Sequence, residues 1–303
     1  MSFSQQIKGE LIYITSQARH CQIAEVATLI AYKNIVKRKK DGQFIIEITS
    51  DEKTIIRKYF TLFKKTYNIV SDVVEEADFY RMQVVNQEDI FQILKSVKFM
   101  KDDEIDVSAT LSSLLFKSTC CKRAFLRNVF YINGSMSDPE KAYHLEFVCD
   151  ALCQAEQIRE VLKDFEIQSG IINRKKNYIT YIKDGTSIVE LLNIIGAHNS
   201  LMELENLRII KEVKNTVNRR VNCETANIAK TVGAASKQID DIKKIIKYRE
   251  MKNLPMNLQE MAMVRLDNPD ISLSELGRLL EPPLGKSGVN HRLRKICEFA
   301  DKL

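Results

Sequence analysis

The chain has 303 residues, 45% of them apolar and 28% charged, long enough for two domains with separate cores. No apolar run approaches the ~20 residues that span a bilayer, which excludes a membrane helix. The net +6 is unevenly placed: residues 208–303 hold 19 Lys and Arg against 12 Asp and Glu, and residues 1–207 hold 27 against 28. The C-terminal third is therefore the part charged to meet phosphate.

Seven cysteines without framework spacing fit reduced thiols. The opening MSFSQQIKGELIYI lacks a basic-then-apolar signal layout, so a cytoplasmic location is expected. No Gly-rich phosphate loop is present, and no nucleotide or other cofactor is expected.

In chain order, Ser4–Ile14 has amphipathic helical spacing. Residues 20–35, HCQIAEVATLIAYKNI, follow. Their Ile23, Val26, Ala27, Leu29, Ile30 and Ala31 cover so much helix surface that packing on more than one side is needed. Lys37–Gly42 reads as a turn, Gln43–Ser50 as a strand and Asp51–Tyr67 as a helix. A strand at Phe79–Val85 and a helix at Gln87–Lys98 lead to an acidic connector, Lys101–Asp106. The order then restarts. Thr119–Gly134 is a second broadly apolar helix, followed by a strand at Tyr143–Val148 and a helix at Asp150–Phe165. A strand pair, Ile167–Ile172 and Asn177–Lys183, turns through Asn173–Lys176, and helix Gly185–Ile195 closes the unit. Two copies of one unit, each roughly 80–100 residues, predict a pseudo-twofold α+β domain with the two apolar helices as its seam.

Ser200–Tyr248 is helical by period, with the stretch 216–227, TVNRRVNCETAN, as a candidate hinge. Pro255 opens a helix to Leu266, and a helix-turn-helix follows over residues 271–303. Ser272 and Glu275 are spaced for a capping box, and Leu273, Leu276, Leu279 and Leu280 share one face. Pro282 and Pro283 stop that helix, Gly285 permits the reversal, and Ser287 can cap a second helix with Val289, Leu293 and Ile296 inside. A basic, amide-bearing second helix is what a major-groove reader requires. Ser287, Asn290, His291 and Arg294 are expected nearest the bases, and Lys286, Arg292 and Lys295 on phosphates.

Other chemistry finds less support. A two-metal phosphodiester nuclease places one carboxylate at the C-terminal end of each of two paired helices. Here Lys33 and Asn133 stand at those ends, and a cation repels Mg²⁺. Cys149 and Cys153, or the pair Cys120-Cys121, offer two zinc ligands where a structural site needs four, so they read as free thiols and no metal is expected. Adjacency of His20 and Cys21 is no sign of a catalytic dyad. The basic stretches Lys37–Lys40 and Asn173–Asn177 read as solvated turns.

Four segments carry a resemblance: residues 120–146, CCKRAFLRNVFYINGSMSDPEKAYHLE; 196–208, GAHNSLMELENLR; 218–227, NRRVNCETAN; and 285–292, GKSGVNHR. The sequence resembles the WhiA family of bacterial sporulation and cell-division transcription regulators, from the first apolar helix to the C-terminus. The resemblance implies a LAGLIDADG homing-endonuclease-like domain over 1–205, a linker at 206–220, and a helix-turn-helix domain similar to sigma-factor region 4 over 221–303. The LAGLIDADG-like helices would be Val26–Asn34 and Leu126–Gly134, with Lys33 and Asn133 where an endonuclease keeps its acids. It further implies lost cleavage, promoter DNA as a partner, and contact with the RNA polymerase sigma factor. The expected function is thus a non-enzymatic, sequence-specific regulator, set against a Mg²⁺-dependent nuclease or an N-terminal domain that only binds proteins.

Overall fold

Ser2 opens the first helix, α1 (Phe3–Leu11), by a capping box: its hydroxyl accepts from the Gln5 amide, and the Gln5 side chain accepts from the Ser2 amide. The computed structural model describes residues 2–76, 78–101, 104–105 and 110–303. The chain divides into two compact units, Met1–Ile210 and Lys211–Leu303.

In the first unit, the two broadly apolar segments are helices α2 (Arg19–Lys33) and α5 (Thr119–Asn133), each of 15 residues. They pack directly against each other. Val26, Ala27, Leu29 and Ile30 of α2, with Phe125, Leu126, Val129 and Phe130 of α5, are almost wholly buried, as the width of the apolar surface predicts. Each half adds a four-stranded antiparallel sheet. Strands β1 (Val36–Arg38), β2 (Phe44–Ser50), β3 (Asp72–Glu75) and β4 (Tyr80–Val84) lie in the order β1-β2-β4-β3. Strands β7 (Gly134–Met136), β8 (Leu145–Cys149), β9 (Gly170–Arg174) and β10 (Asn177–Ile182) repeat it as β7-β8-β10-β9. Helices α3 (Lys53–Tyr67) and α4 (Gln87–Ser96) pack on the first sheet, α6 (Leu152–Lys163) on the second, and α7 (Gly185–Ile195) against α5. One internal core joins these layers.

Several elements differ from expectation. Lys37 and Arg38 lie in edge strand β1, paired as Lys37↔Ile45 and Arg38↔Phe44, not in a turn; charged residues are well suited to an unpaired sheet edge. Strand β3 leaves no signal in the sequence, because its Val73 and Val74 are exposed and give no core-facing alternation. Asn173 and Arg174 belong to β9, so the hairpin turns through Lys175 and Lys176 alone. The acidic connector falls partly outside the described residues; its described part pairs β5 (Met100–Lys101) with β6 (Glu104–Ile105).

The largest departure is α8 (His198–Lys247), one helix of 50 residues. The expected linker 206–220 lies inside it and contains the boundary between the two units, whereas the break expected at 216–227 does not occur. Asn and β-branched residues each cost a helix under about 0.7 kcal/mol, and neither Pro nor Gly occurs from His198 to Val232. Glu10 caps its start, its carboxylate accepting from the amides of Asn199 (2.9 Å) and Ser200 (2.7 Å), where the helix dipole favours an anion. Gly233 is the weak point of α8, and a Cβ added there meets no atom within 4 Å. Gly233→Ala should therefore stabilise the helix by about 0.5–1 kcal/mol. Amide exchange across 226–240 should slow several-fold; unchanged or faster exchange would mean that α8 is not continuous there in solution.

Candidate nucleic-acid interface

The second unit contains α9 (Met256–Asp267), α10 (Leu273–Arg278) and α11 (Lys286–Ala300). Leu276 and Leu280 are buried with Val289, Leu293, Ile296 and Ala300, against Leu258, Met261 and Ala262 of α9 and Ile242 and Ile245 of α8. The capping box at Ser272 and Glu275 forms as its spacing predicts, and the backbone and side-chain hydrogen bonds from Ser272 lower the Glu275 carboxyl. Lys244 donates to the Ala300 carbonyl at 2.9 Å and closes the far end of α11.

Two details of the turn depart from expectation. Leu279 is 53% exposed, because α10 ends at Arg278 and the chain swings away before Leu279 can rotate inward. Ser287 does not cap α11: Gly285 is the N-cap, with an ordinary φ of −70° and no side-chain cap bond, and Ser287 sits within the first turn. The turn is closed instead by the Leu284 amide donating to the Gly277 carbonyl at 2.8 Å. With Gly285 as N-cap, α11 starts two residues earlier than a Ser287 cap would place it. The bond to Gly277 also brings Leu284 so near that a Cβ on Gly277 would stand 2.0 Å from the Leu284 carbonyl oxygen.

On the outer face of α11, Lys286, Ser287, Asn290, His291, Arg294 and Lys295 are exposed. Ser287, Asn290, His291 and Arg294 recur at i, i+3, i+4 and i+7, hence along one stripe, opposite buried Val289, Leu293 and Ile296. Arg294 Nε donates to Glu298 at 3.1 Å in an exposed ion pair. Arg292 is only half-exposed and donates to the Asn257 carbonyl at 3.3 Å, which ties α11 to the start of α9. With no side-chain cap, the first amides of α11 are available to an anion.

In the first unit, Lys33 is the last residue of α2 and Asn133 the last of α5. Lys33 is exposed and lines an open cleft of about 730 Å³ with Lys8, Asp51, Glu52, Tyr59 and Tyr131; Asn133 does not line it. Burial and then the neighbouring Lys33 lower the Lys8 amine. Lys37 and Arg81 of the first sheet and Arg174 of the second are paired with acids in equivalent strands, while Arg38 lies over the Phe44 ring. Glu47 of β2 accepts from Gln83 at 2.6 Å and pairs with Lys37 at 2.5 Å and Arg81 at 3.9 Å; its carboxyl lies low, chiefly through the bond from Lys37. Glu146 of β8 accepts from Ser135 at 3.3 Å and stands 3.8 Å from Arg174 and 3.4 Å from His144.

At the other end of the seam the structure joins residues that sequence distance kept apart. His20 and Cys21, in the first turn of α2, meet Cys120 and Cys121, in the first turn of α5. The His20 Nδ1 lies 3.1 Å from the Cys121 sulfur, 3.4 Å from that of Cys21 and 4.0 Å from that of Cys120. Burial first, and then the neighbouring thiols, push the Cys21 thiol up to about 12. These four residues supply the ligand number that Cys120-Cys121 alone lacked. Cys149 and Cys153 do not join them, and no second such group of His, Cys or acid occurs among the described residues.

Three family descriptions match in order along the chain. They are a WhiA N-terminal LAGLIDADG-like domain over residues 19–78, a WhiA LAGLIDADG-like domain over 122–214, and a WhiA C-terminal HTH domain over 217–300. A protein of Lachnoclostridium phytofermentans named "Probable cell division protein WhiA" is 44% identical over 312 residues, covering 100% of this chain and 99% of its own. One of the same name from Alkaliphilus oremlandii is 44% identical over 313 residues, covering 100% and 98%. The crystal structure of full-length DUF199/WhiA from Thermatoga maritima matches with a TM-score of 0.58 at 26% identity, covering 100% of this chain and 99% of that one. The chain therefore belongs to the WhiA family, with its LAGLIDADG-like region followed by the helix-turn-helix domain.

Proposed function

We propose that this chain is a non-enzymatic, sequence-specific DNA-binding regulator of transcription acting in cell division, sporulation and chromosome segregation, in the cytoplasm at the nucleoid. One observation carries the reading: a polar and cationic stripe on α11 is exposed while the opposite face is locked into a helix-turn-helix core. Laid in the major groove, Asn290 and Arg294 reach base edges with Ser287 and His291 beside them, and Lys286, Arg292 and Lys295 meet phosphates. Arg294 first leaves Glu298, at a cost of about 0.3–0.5 kcal/mol for an exposed helical pair. A bidentate base contact returns about 1–3 kcal/mol of discrimination, so the ion pair is no obstacle. The name shared by the relatives supports the role in cell division.

Arg294→Ala should cost about 1–3 kcal/mol of discrimination between promoter and random duplex, whereas Lys295→Ala should weaken all DNA about equally and lower the salt slope by about one. Binding titrations at several salt concentrations distinguish them, and equal, uniform losses from both would sink the assignment. The first unit supports protein contact, the RNA polymerase sigma factor being the proposed partner, because Lys37, Arg81 and Arg174 of its sheets are already paired with Glu47, Glu76 and Glu146. A nuclease reading is disfavoured by Lys33 and Lys8, two cations in the cleft at the helix ends. Supercoiled plasmid should stay intact with Mg²⁺ or Mn²⁺; nicking that disappears in Asp51→Asn would establish the nuclease instead.

A further inference from the structure

We propose that His20, Cys21, Cys120 and Cys121 form a structural metal site for a zinc-type divalent cation, joining the first turns of α2 and α5 across the seam between the two halves. The proposal is independent of how the chain binds DNA. Three thiolates and one imidazole are a complete tetrahedral set for zinc, with no position left open for water. Their ligand atoms all lie within 4.8 Å of one another. In a tetrahedral shell with Zn–S about 2.3 Å and Zn–N about 2.0–2.1 Å, neighbouring ligand atoms stand roughly 3.5–3.8 Å apart. The His20 distances of 3.1, 3.4 and 4.0 Å bracket that range, so side-chain adjustments alone would close the shell.

The surroundings fit the charge that results. Zinc with three thiolates carries a net −1, and it would sit at the N-terminal ends of two parallel-entering helices, where the backbone dipoles favour an anion. Neither helix has a side-chain cap at that end. Cys21 and Cys121 are buried while His20 and Cys120 are exposed, which gives an ion a way in. Beside Cys21 and Cys121 the buried apolar residues of this cluster are Ala24 and Ala124. A core of two alanines and two thiols offers little apolar area at this end, and a metal would supply the cohesion that larger side chains supply further along α2 and α5. The site is also a product of the pseudo-twofold: His20 and Cys120, like Cys21 and Cys121, hold equivalent second and third positions of equivalent helices.

The test uses the full chain, purified under reductant, with elemental analysis and Co²⁺ substitution. One zinc per chain is expected, and Co²⁺ should give the intense visible bands of a tetrahedral ion together with thiolate-to-metal charge transfer. His20→Gln and Cys120→Ser alter exposed ligands and leave the buried pair in place, with far-ultraviolet circular dichroism checking that the helices persist. Each should weaken metal binding by more than the roughly 10–100-fold lost with a merely supporting residue. Cys153→Ser, exposed and outside the cluster, should bind as the parent does. A reduced chain that takes up neither zinc nor Co²⁺, or a Co²⁺ spectrum that survives the His20→Gln, Cys120→Ser double variant, overturns the site. Loss of two of these thiols that only reductant reverses, without metal uptake, would overturn it in favour of a disulfide.

Discussion

Gly277→Ala is expected to open the helix-turn-helix, although alanine is the better helix former. The propensity gain at a helical glycine is about 1 kcal/mol. Against it stands a Cβ placed 2.0 Å from the Leu284 carbonyl oxygen, 3.1 Å from its carbon and 3.0 Å from Val289 Cγ2. The first two atoms are backbone, in the turn that aims α11, and no rotamer change relieves them. Overpacking costs about 1–3 kcal/mol and occasionally more, and moving Leu284 away also breaks its 2.8 Å bond to the Gly277 carbonyl, worth about 0.5–1.5 kcal/mol. A net loss of about 2–3 kcal/mol is expected, equivalent to roughly 30–150-fold faster exchange of the buried amides of 256–300. Exchange in 1–210 should not change, while DNA affinity should fall because the turn no longer holds α11. Gly288→Ala is the control: the nearest atoms its Cβ would meet belong to the Leu284 side chain, at an ordinary 3.5–3.9 Å. If both substitutions are equally mild, the close approach at Gly277 is not present in solution.

That glycine marks a limit of sequence reading. The capping box at Ser272, the buried stripe Val289–Leu293–Ile296 and the breadth of α2 and α5 are local patterns, set by residues within a few positions of one another. Helix periodicity therefore exposed them, and the doubled order of elements exposed the pseudo-twofold domain. Gly277 gave no such signal, since its need for hydrogen depends on where Leu284 returns seven residues later. The His20 cluster was hidden more deeply: its two halves are 100 residues apart, and only the packing of α2 on α5 joins them. The hinge expected at 216–227 is absent because Asn and β-branched residues, without Pro or Gly, cost a helix too little to interrupt it. The outward residues of α11 were legible as a stripe, yet the bond from Arg292 to Asn257 required the tertiary fold.

Arg127→Met should destabilise the first unit by about 3–5 kcal/mol, the usual loss when one partner of a buried ion pair is removed. Arg127 crosses the seam: its Nε donates to the Ile195 carbonyl at 2.8 Å, and its Nη1 lies 3.4 Å from the Ser16 hydroxyl and 3.6 Å from the Glu25 carboxylate. Glu25 is 3% exposed. Burial raises its carboxyl, opposed by the Ser16 hydrogen bond and the charges of Lys58 and Arg127. Burial also brings the Lys58 amine down to about 8. Removing Arg127 leaves Glu25 with a partner already reluctant to hold its charge. The Glu25 carboxyl then rises further above its unfolded value, so the folded state binds the proton more readily than the unfolded state does. By linkage, the variant's deficit is largest near neutral pH and shrinks as pH falls through the raised folded value. Glu25→Gln added to Arg127→Met removes the stranded charge, keeps the 2.7 Å bond from Asn128 to the Glu25 backbone carbonyl, and should recover most of the loss. Urea unfolding of the single and double variants at pH 5 and pH 7.5 decides the matter. A double variant as unstable as the single one, or a deficit equal at both pH values, would mean that Arg127 acts by packing and by its bond to Ile195, not by neutralising Glu25.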